Sequence, residues 1–187
     1  MNKTIAPKNE DNADFPKIDL VTNQKDSDGQ KELYDFFEHY HDNSYILSHD
    51  RKRYVSLKDK GETRKYSLEN DLKKDLVVYR VDGGVIQGND TNKCDFAIYT
   101  VDKWLILVEL KGADYNKAIE QIIATIDQLI KIPKISVSRV FSRVVLSKVR
   151  TPELRTSAET TLKNRMIQYQ GNLKKATSEL KEKLSSI

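Results

Sequence analysis

The run Trp104–Val108 (WLILV) has no polar face, and it ends on Glu109-Leu110-Lys111. A strand exposed on one side alternates apolar and polar residues, whereas one covered on both sides reads as a continuous apolar run. This segment is therefore expected to be a central buried strand, and its neighbours must supply a layer on each face. Val77–Val81 (VVYRV) and Asp95–Thr100 (DFAIYT) are strand-like, with Gly83-Gly84 and Gly88-Asn89 marking turns. Asp114 is placed to cap a helix to about Ile132, because Ile119, Ile122, Ile123, Ile126 and Ile130 share one face and Pro133 stops it. Val137–Ser147 returns to strand character. Strand, strand, strand, helix, strand over residues 77–148 defines a mixed α/β core.

The flanks read differently. Residues 1–28 are rich in Asn, Asp, Lys, Ser and Pro and are expected to form a flexible acidic leader. Leu33, Phe36, Phe37 and Tyr40 fall at helical spacing from Lys31 onward. The following basic, tyrosine-bearing segment has Lys60-Gly61 as a turn between two short strands, and Ser67 is positioned to cap a brief helix over 68–75. Leu162, Met166, Tyr169, Leu173, Ala176 and Leu180 are spaced 4, 3, 4, 3, 4, with Leu184 and Ile187 extending the stripe. That period predicts a long C-terminal helix whose seam packs on its own domain or on a second copy, although Gly171 weakens it. The expected divisions are 1–28, 29–76 packed on the core, 77–150 as core and 151–187 as helix.

Alternate strand residues share a face, so Glu109 and Lys111 point one way and Leu110 the other. If the strands at 95–100 and 104–111 form a hairpin about 101–103, residues whose numbers sum to about 204 lie opposite. Asp95 and Glu109 meet that condition. Two facing carboxylates beside a lysine are costly at the end of an apolar strand unless they share a proton or bind a cation.

Asp95, then Glu109-Leu110-Lys111, then a helix and a strand resembles the PD-(D/E)XK nuclease superfamily over roughly residues 77–148, with Cys94 where the family's name has proline. The surrounding Arg80-Val81-Asp82-Gly83, Cys94-Asp95, Gly112 and Ala118-Ile119-Glu120-Gln121 are similar to small nuclease-like proteins of bacteria and mobile elements. The resemblance implies a restriction-endonuclease-like mixed sheet flanked by helices. It also implies Mg²⁺ or Mn²⁺ held by Asp95, Glu109 and the Leu110 carbonyl, with Lys111 orienting or deprotonating water. By the same resemblance Gln121 is a further site residue, set against a solvated helix face. Glu69 is an auxiliary acid set against an ordinary surface role, and Asp82 an auxiliary acid set against a turn former. His39 and His41 diverge on a helix and are expected at the surface; Cys94 is expected to be a small buried residue.

The chain has 187 residues with 32 Lys plus Arg against 28 Asp plus Glu, net +4, but residues 1–50 carry −6 and the remainder +10. Residues 51–80 hold ten basic and five acidic side chains, and six of the nine tyrosines lie between 34 and 79. Arg51, Lys52, Arg53, Arg64, Lys65 and Arg80 are accordingly candidates for nucleic-acid contacts. The lack of a long apolar run and the single cysteine lead to a cytoplasmic expectation without membrane. The expected function is a metal-dependent endonuclease acting on DNA in restriction, defence or repair. The alternatives are a catalytically silent nucleic-acid- or partner-binding protein of the same fold, or a nuclease activated only by a partner. A homodimer through the C-terminal stripe is a further expectation.

Overall fold

The structure is a computed structural model that describes residues 33–59, 61–88, 91–148 and 157–187. The expected leader 1–28, the turn residue Lys60 and Asn89 lie outside them. The apolar run forms β7 (Trp104–Lys111), which sits inside a six-stranded sheet with β2 (Ile46–Asp50), β5 (Leu76–Arg80), β6 (Phe96–Thr100), β9 (Arg139–Leu146) and β10 (Leu173–Thr177). The order is β10-β9-β7-β6-β5-β2. The three consecutive strands β5, β6 and β7 are antiparallel, and β9 lies parallel to β7. The chain is thus mixed α/β, and no described helix is long and apolar enough to cross a membrane.

Side-chain alternation divides the core in two. On one face, Val77, Tyr79, Ala97, Tyr99, Leu105 and Leu107 pack with Ile119, Ile122 and Ile126 of α2 (Tyr115–Ile126) and with Leu162 and Met166 of α3 (Ser157–Gln168). On the other, Val78, Ile98, Ile106, Val108 and Leu110 pack against Val55, Leu57, Tyr66 and Leu68. These last four come from β3 (Tyr54–Leu57) and β4 (Lys65–Glu69), which join β11 (Glu179–Lys183) in a three-stranded sheet, order β11-β4-β3. β7 is therefore covered on both faces, as its sequence requires.

Asp114 Oδ1 accepts a hydrogen bond from the Lys117 N–H at 2.9 Å and caps α2. The helix continues as a π-helical turn, Asp127–Lys131, to Ile132. Three sequence expectations fail. Near the start, β1 (Tyr34–Asp35) pairs with β8 (Ile135–Ser136), and Asp35 caps a single turn, α1 (Phe36–His39), instead of a longer helix. Leu33 is exposed and adds nothing to an apolar face. Ser67 caps no helix over 68–75, because Tyr66 and Leu68 bury at the period of a strand.

The long C-terminal helix is also absent. α3 ends at Gln168, Gln170 adopts φ 51°, and Gly171 passes so close to β9 that a Cβ there would lie 1.7 Å from the Val140 carbonyl oxygen. Beyond it the chain becomes β10 and β11. The residues that look like one helical stripe belong to two cores: Leu162, Met166, Tyr169 and Leu173 on the helical side, Leu180, Leu184 and Ile187 on the other. The division 151–187 is thus helix plus two strands, and the seam expected to serve a dimer is consumed within the chain.

Candidate active site

Phe96 pairs with Val108 in the antiparallel β6–β7 ladder, so the next step outward sets Asp95 opposite Glu109, the pairing expected from the sequence. Asp95 is fixed there: its Oδ2 accepts the Leu110 N–H at 2.7 Å, and its own carbonyl accepts the Val81 N–H at 2.9 Å. Leu110 buries its side chain in the opposite core and offers the site only its backbone. Glu109 is 1 % exposed and its Oε2 has no hydrogen-bond partner. Lys111 Nζ lies 3.8 Å from Glu109 Oε1 and donates to Gln121 Oε1 at 2.7 Å. Gln121, on the face of α2 turned to the site, donates through Nε2 to the Lys93 carbonyl at 2.8 Å.

The electrostatics follow from burial. Asp95 is pushed up to about 6, first by burial, against the Leu110 N–H, with Asp59 and Asp82 adding repulsion and Lys111 opposing it. Glu109 is pushed well above the ordinary carboxylate range by burial and then by Asp95, with Lys111 again opposing. One lysine does not compensate two opposed acids.

The site fits a hard divalent cation on these grounds: two carboxylates, that of Glu109 with an orphaned buried oxygen, and an adjacent backbone carbonyl form an all-oxygen donor set. Among the described residues, no three His, Cys, Asp or Glu side chains converge on one point, so the remaining coordination positions of such an ion would fall to water or substrate.

The other candidates separate. Asp82 lies beside the site, 3.3 Å from the Lys93 ammonium, which is 5 % exposed at the residue level and also donates to the Gly88 carbonyl. Glu69 stands apart, at the far end of β4, paired with Arg53 and Lys183 at 2.9 and 3.6 Å. Arg64 and Lys65 open β4 at the site edge. An Arg64 Nη1 lies 3.6 Å from where a Gly112 Cβ would sit, while its Nη2 pairs with Glu62 at 2.8 Å. The Lys65 N–H donates to the Ser178 carbonyl at 3.0 Å, and its ammonium pairs with Glu179 at 3.3 Å. Arg80 ends β5 opposite Phe96, beside Asp95. Arg51, Lys52 and Arg53, however, follow Asp50, which pairs with Leu76 at the opposite edge of the sheet, so one run of basic sequence is divided between two ends of the molecule.

Cys94 is fully buried, its N–H donating to Thr125 Oγ1 at 2.8 Å. His39 and His41 are exposed at or just beyond α1, away from the acids. Sequence reasoning missed Asp59 and Lys93. Asp59 carried no signal, since a loop after β3 brings it near the acids; Lys93 stands two residues before Asp95 and was legible only as part of that segment. No family model, curated protein or solved structure matches this chain.

Proposed function

We propose that the chain is a divalent-metal-dependent nuclease of the PD-(D/E)XK type, with a restriction-endonuclease-like core, hydrolysing phosphodiester bonds in DNA. The observation that carries this is Glu109: a buried carboxylate with an orphaned oxygen, opposed to a second acid and flanked by one lysine. The antiparallel strands β5, β6 and β7, followed by α2 and parallel β9, support the same reading. Asp95, Glu109 and the Leu110 carbonyl would hold Mg²⁺ or Mn²⁺. The chemistry such an ion supplies is acidification of water and neutralisation of charge gathering on the phosphate.

The chain's own residues do the rest. Asp95 is fixed by the Leu110 N–H and Glu109 by its strand, so the donor oxygens at this edge are preorganised. Lys111, restrained by Gln121, presents its ammonium for a hydrogen bond to the attacking water or a phosphate oxygen. Gln121 acts through Lys111 and is a positioning residue.

The test is incubation of the full chain with labelled plasmid, linear and single-stranded DNA and with RNA, in Mg²⁺, Mn²⁺ or EDTA. Cleavage that needs metal and drops about 10³-fold in Lys111→Ala supports the proposal. Binding without cleavage in either metal would replace it with a silent binding protein of the same fold.

A further inference from the structure

The strand registers sort the basic residues by edge. β5 runs antiparallel to β6 and ends at the site edge with Arg80. β10 runs parallel to β9 and β7, which sets Lys175 level with Val144 and, through it, with Glu109. Lys175 belongs to no basic run that stands out in the sequence. In the sheet, β5 and β10 each stand two strands from β7, on opposite sides. At about 4.8 Å per strand, the Arg80 and Lys175 backbones flank the Lys111 strand at about 10 Å on either hand; the Lys175 side chain lies on the α2 face with Glu109 and Lys111, and the Arg80 side chain on the β3–β4 face with Phe96 and Val108.

The two edges also differ in how their cations are partnered. At the far edge Arg51 is held by Asp75 at 2.7 Å, Lys52 by Asp50 at 2.7 Å and Arg53 by Glu69 at 2.9 Å. An approaching polyanion there meets charge already cancelled. Arg80 and Lys175 are exposed and have no acid at ion-pair distance among the described residues; each is seated on an aromatic ring instead. The Arg80 guanidinium lies 5.4 Å from the Phe96 ring centroid, and the Lys175 ammonium 4.0 Å from that of Tyr115. A ring face holds a cation in place without neutralising it.

We infer that Arg80 and Lys175 form the two ends of a phosphodiester track that crosses the Asp95–Glu109–Lys111 end of the sheet from one face to the other, and that Arg51, Lys52 and Arg53 lie outside it. The assignment of the bound polyanion as the substrate rests on the nuclease reading; the track itself is a statement about binding.

The experiment measures binding in EDTA, where metal-dependent cleavage is silent, using the full chain and a fluorescein-labelled 20-base-pair DNA duplex or its single strand across a range of salt. Arg80→Ala and Lys175→Ala are each expected to weaken binding about fivefold and to lower the log–log salt slope by about one. Lys175→Arg should restore both. The triple variant Arg51→Ala, Lys52→Ala, Arg53→Ala should bind within about twofold of the parent. Parental affinity in both track variants, loss confined to the triple variant, or a parent that binds neither probe would overturn the track. The same proteins are then assayed with Mg²⁺. Intact binding with no cleavage strikes the nuclease reading and leaves the track; cleavage with an unchanged salt slope in Lys175→Ala does the reverse.

Discussion

Glu109 and Glu182 are the same residue type on two strands of one fold, with side chains 2 % and 4 % exposed. Their surroundings are opposite. Glu182 faces the fully buried Arg143, accepts the Tyr66 hydroxyl at 2.8 Å and meets the Lys174 ammonium at 2.9 Å. Arg143 is tied in turn to the Asn172 side chain at 2.9 Å. Burial pushes Glu182 up, but these hydrogen bonds and charges outweigh it and hold the carboxyl below its usual range. Glu109 has a second acid opposite it and a lysine already engaged by Gln121, and it is pushed up. In the first cluster the protein supplies the buried carboxylate with three partners, and only Arg143 Nη2 is left without one. The other leaves a buried carboxylate oxygen without a partner and sets a second acid against it, which is the uncompensated arrangement the proposed cation would complete.

Breaking the Arg143–Glu182 cluster should have the largest effect. Arg143→Met strands Glu182 in the core and is expected to cost about 3–5 kcal/mol in urea unfolding; a loss under about 1 kcal/mol would mean the pair is not structural. The incomplete cluster should respond the other way. Mg²⁺ at about 100 times its dissociation constant should stabilise the parent by about 2.7 kcal/mol in thermal melts. Glu109→Gln should abolish that gain without lowering stability in EDTA, and a clear loss in EDTA would show that Glu109 is a structural residue.

Acid titration sharpens the contrast. A carboxylate held low contributes stability above its unfolded value and loses it as pH falls through the folded one, so Glu182 should weaken the fold below about pH 4. Asp95 has the opposite sign: with a folded value of about 6, metal-free protein should lose stability as pH rises from about 4 to 6. Urea midpoints in EDTA should therefore peak on the mildly acid side, and Mg²⁺ should flatten the upper limb. A midpoint that climbs steadily from pH 4 to 7 in EDTA would contradict the assignment. The smallest effect is expected for Arg51→Ala, whose pair with Asp75 is exposed on both sides; its melting midpoint should match the parent's.

What the sequence made legible was local. The two-sided apolar run of β7, the Asp95–Glu109 register and the Asp114 cap each depend on a few neighbouring residues, and each is present in the fold. What it hid depends on distant partners. Leu173 and Leu180 satisfy a helical period and yet enter different cores, because the helix ends before Gly171 and the turn at Ser178, φ 66°, carries the chain from β10 in one sheet to β11 in the other. Arg53 and Arg64 look alike in a basic run but lie at opposite ends of the three-stranded sheet. Lys175 gained meaning only from the strand order, and Asp59 only from a loop that returns to the acids.

The pairing of β11 with β4 has a consequence for how the chain acquires its shape. Tyr66 and Glu182, which bond across that pair, are 116 residues apart, and β10 and β11 are synthesised after β9 and β4, the strands they pair with. Until they arrive, β9 and β4 each present an open edge, since β10 and β11 are their outer neighbours. Distant parallel pairings close slowly, and open edges invite pairing with other chains. The interval of greatest aggregation risk during synthesis is thus written into the strand order, and it ends when residues 173–183 close both sheets.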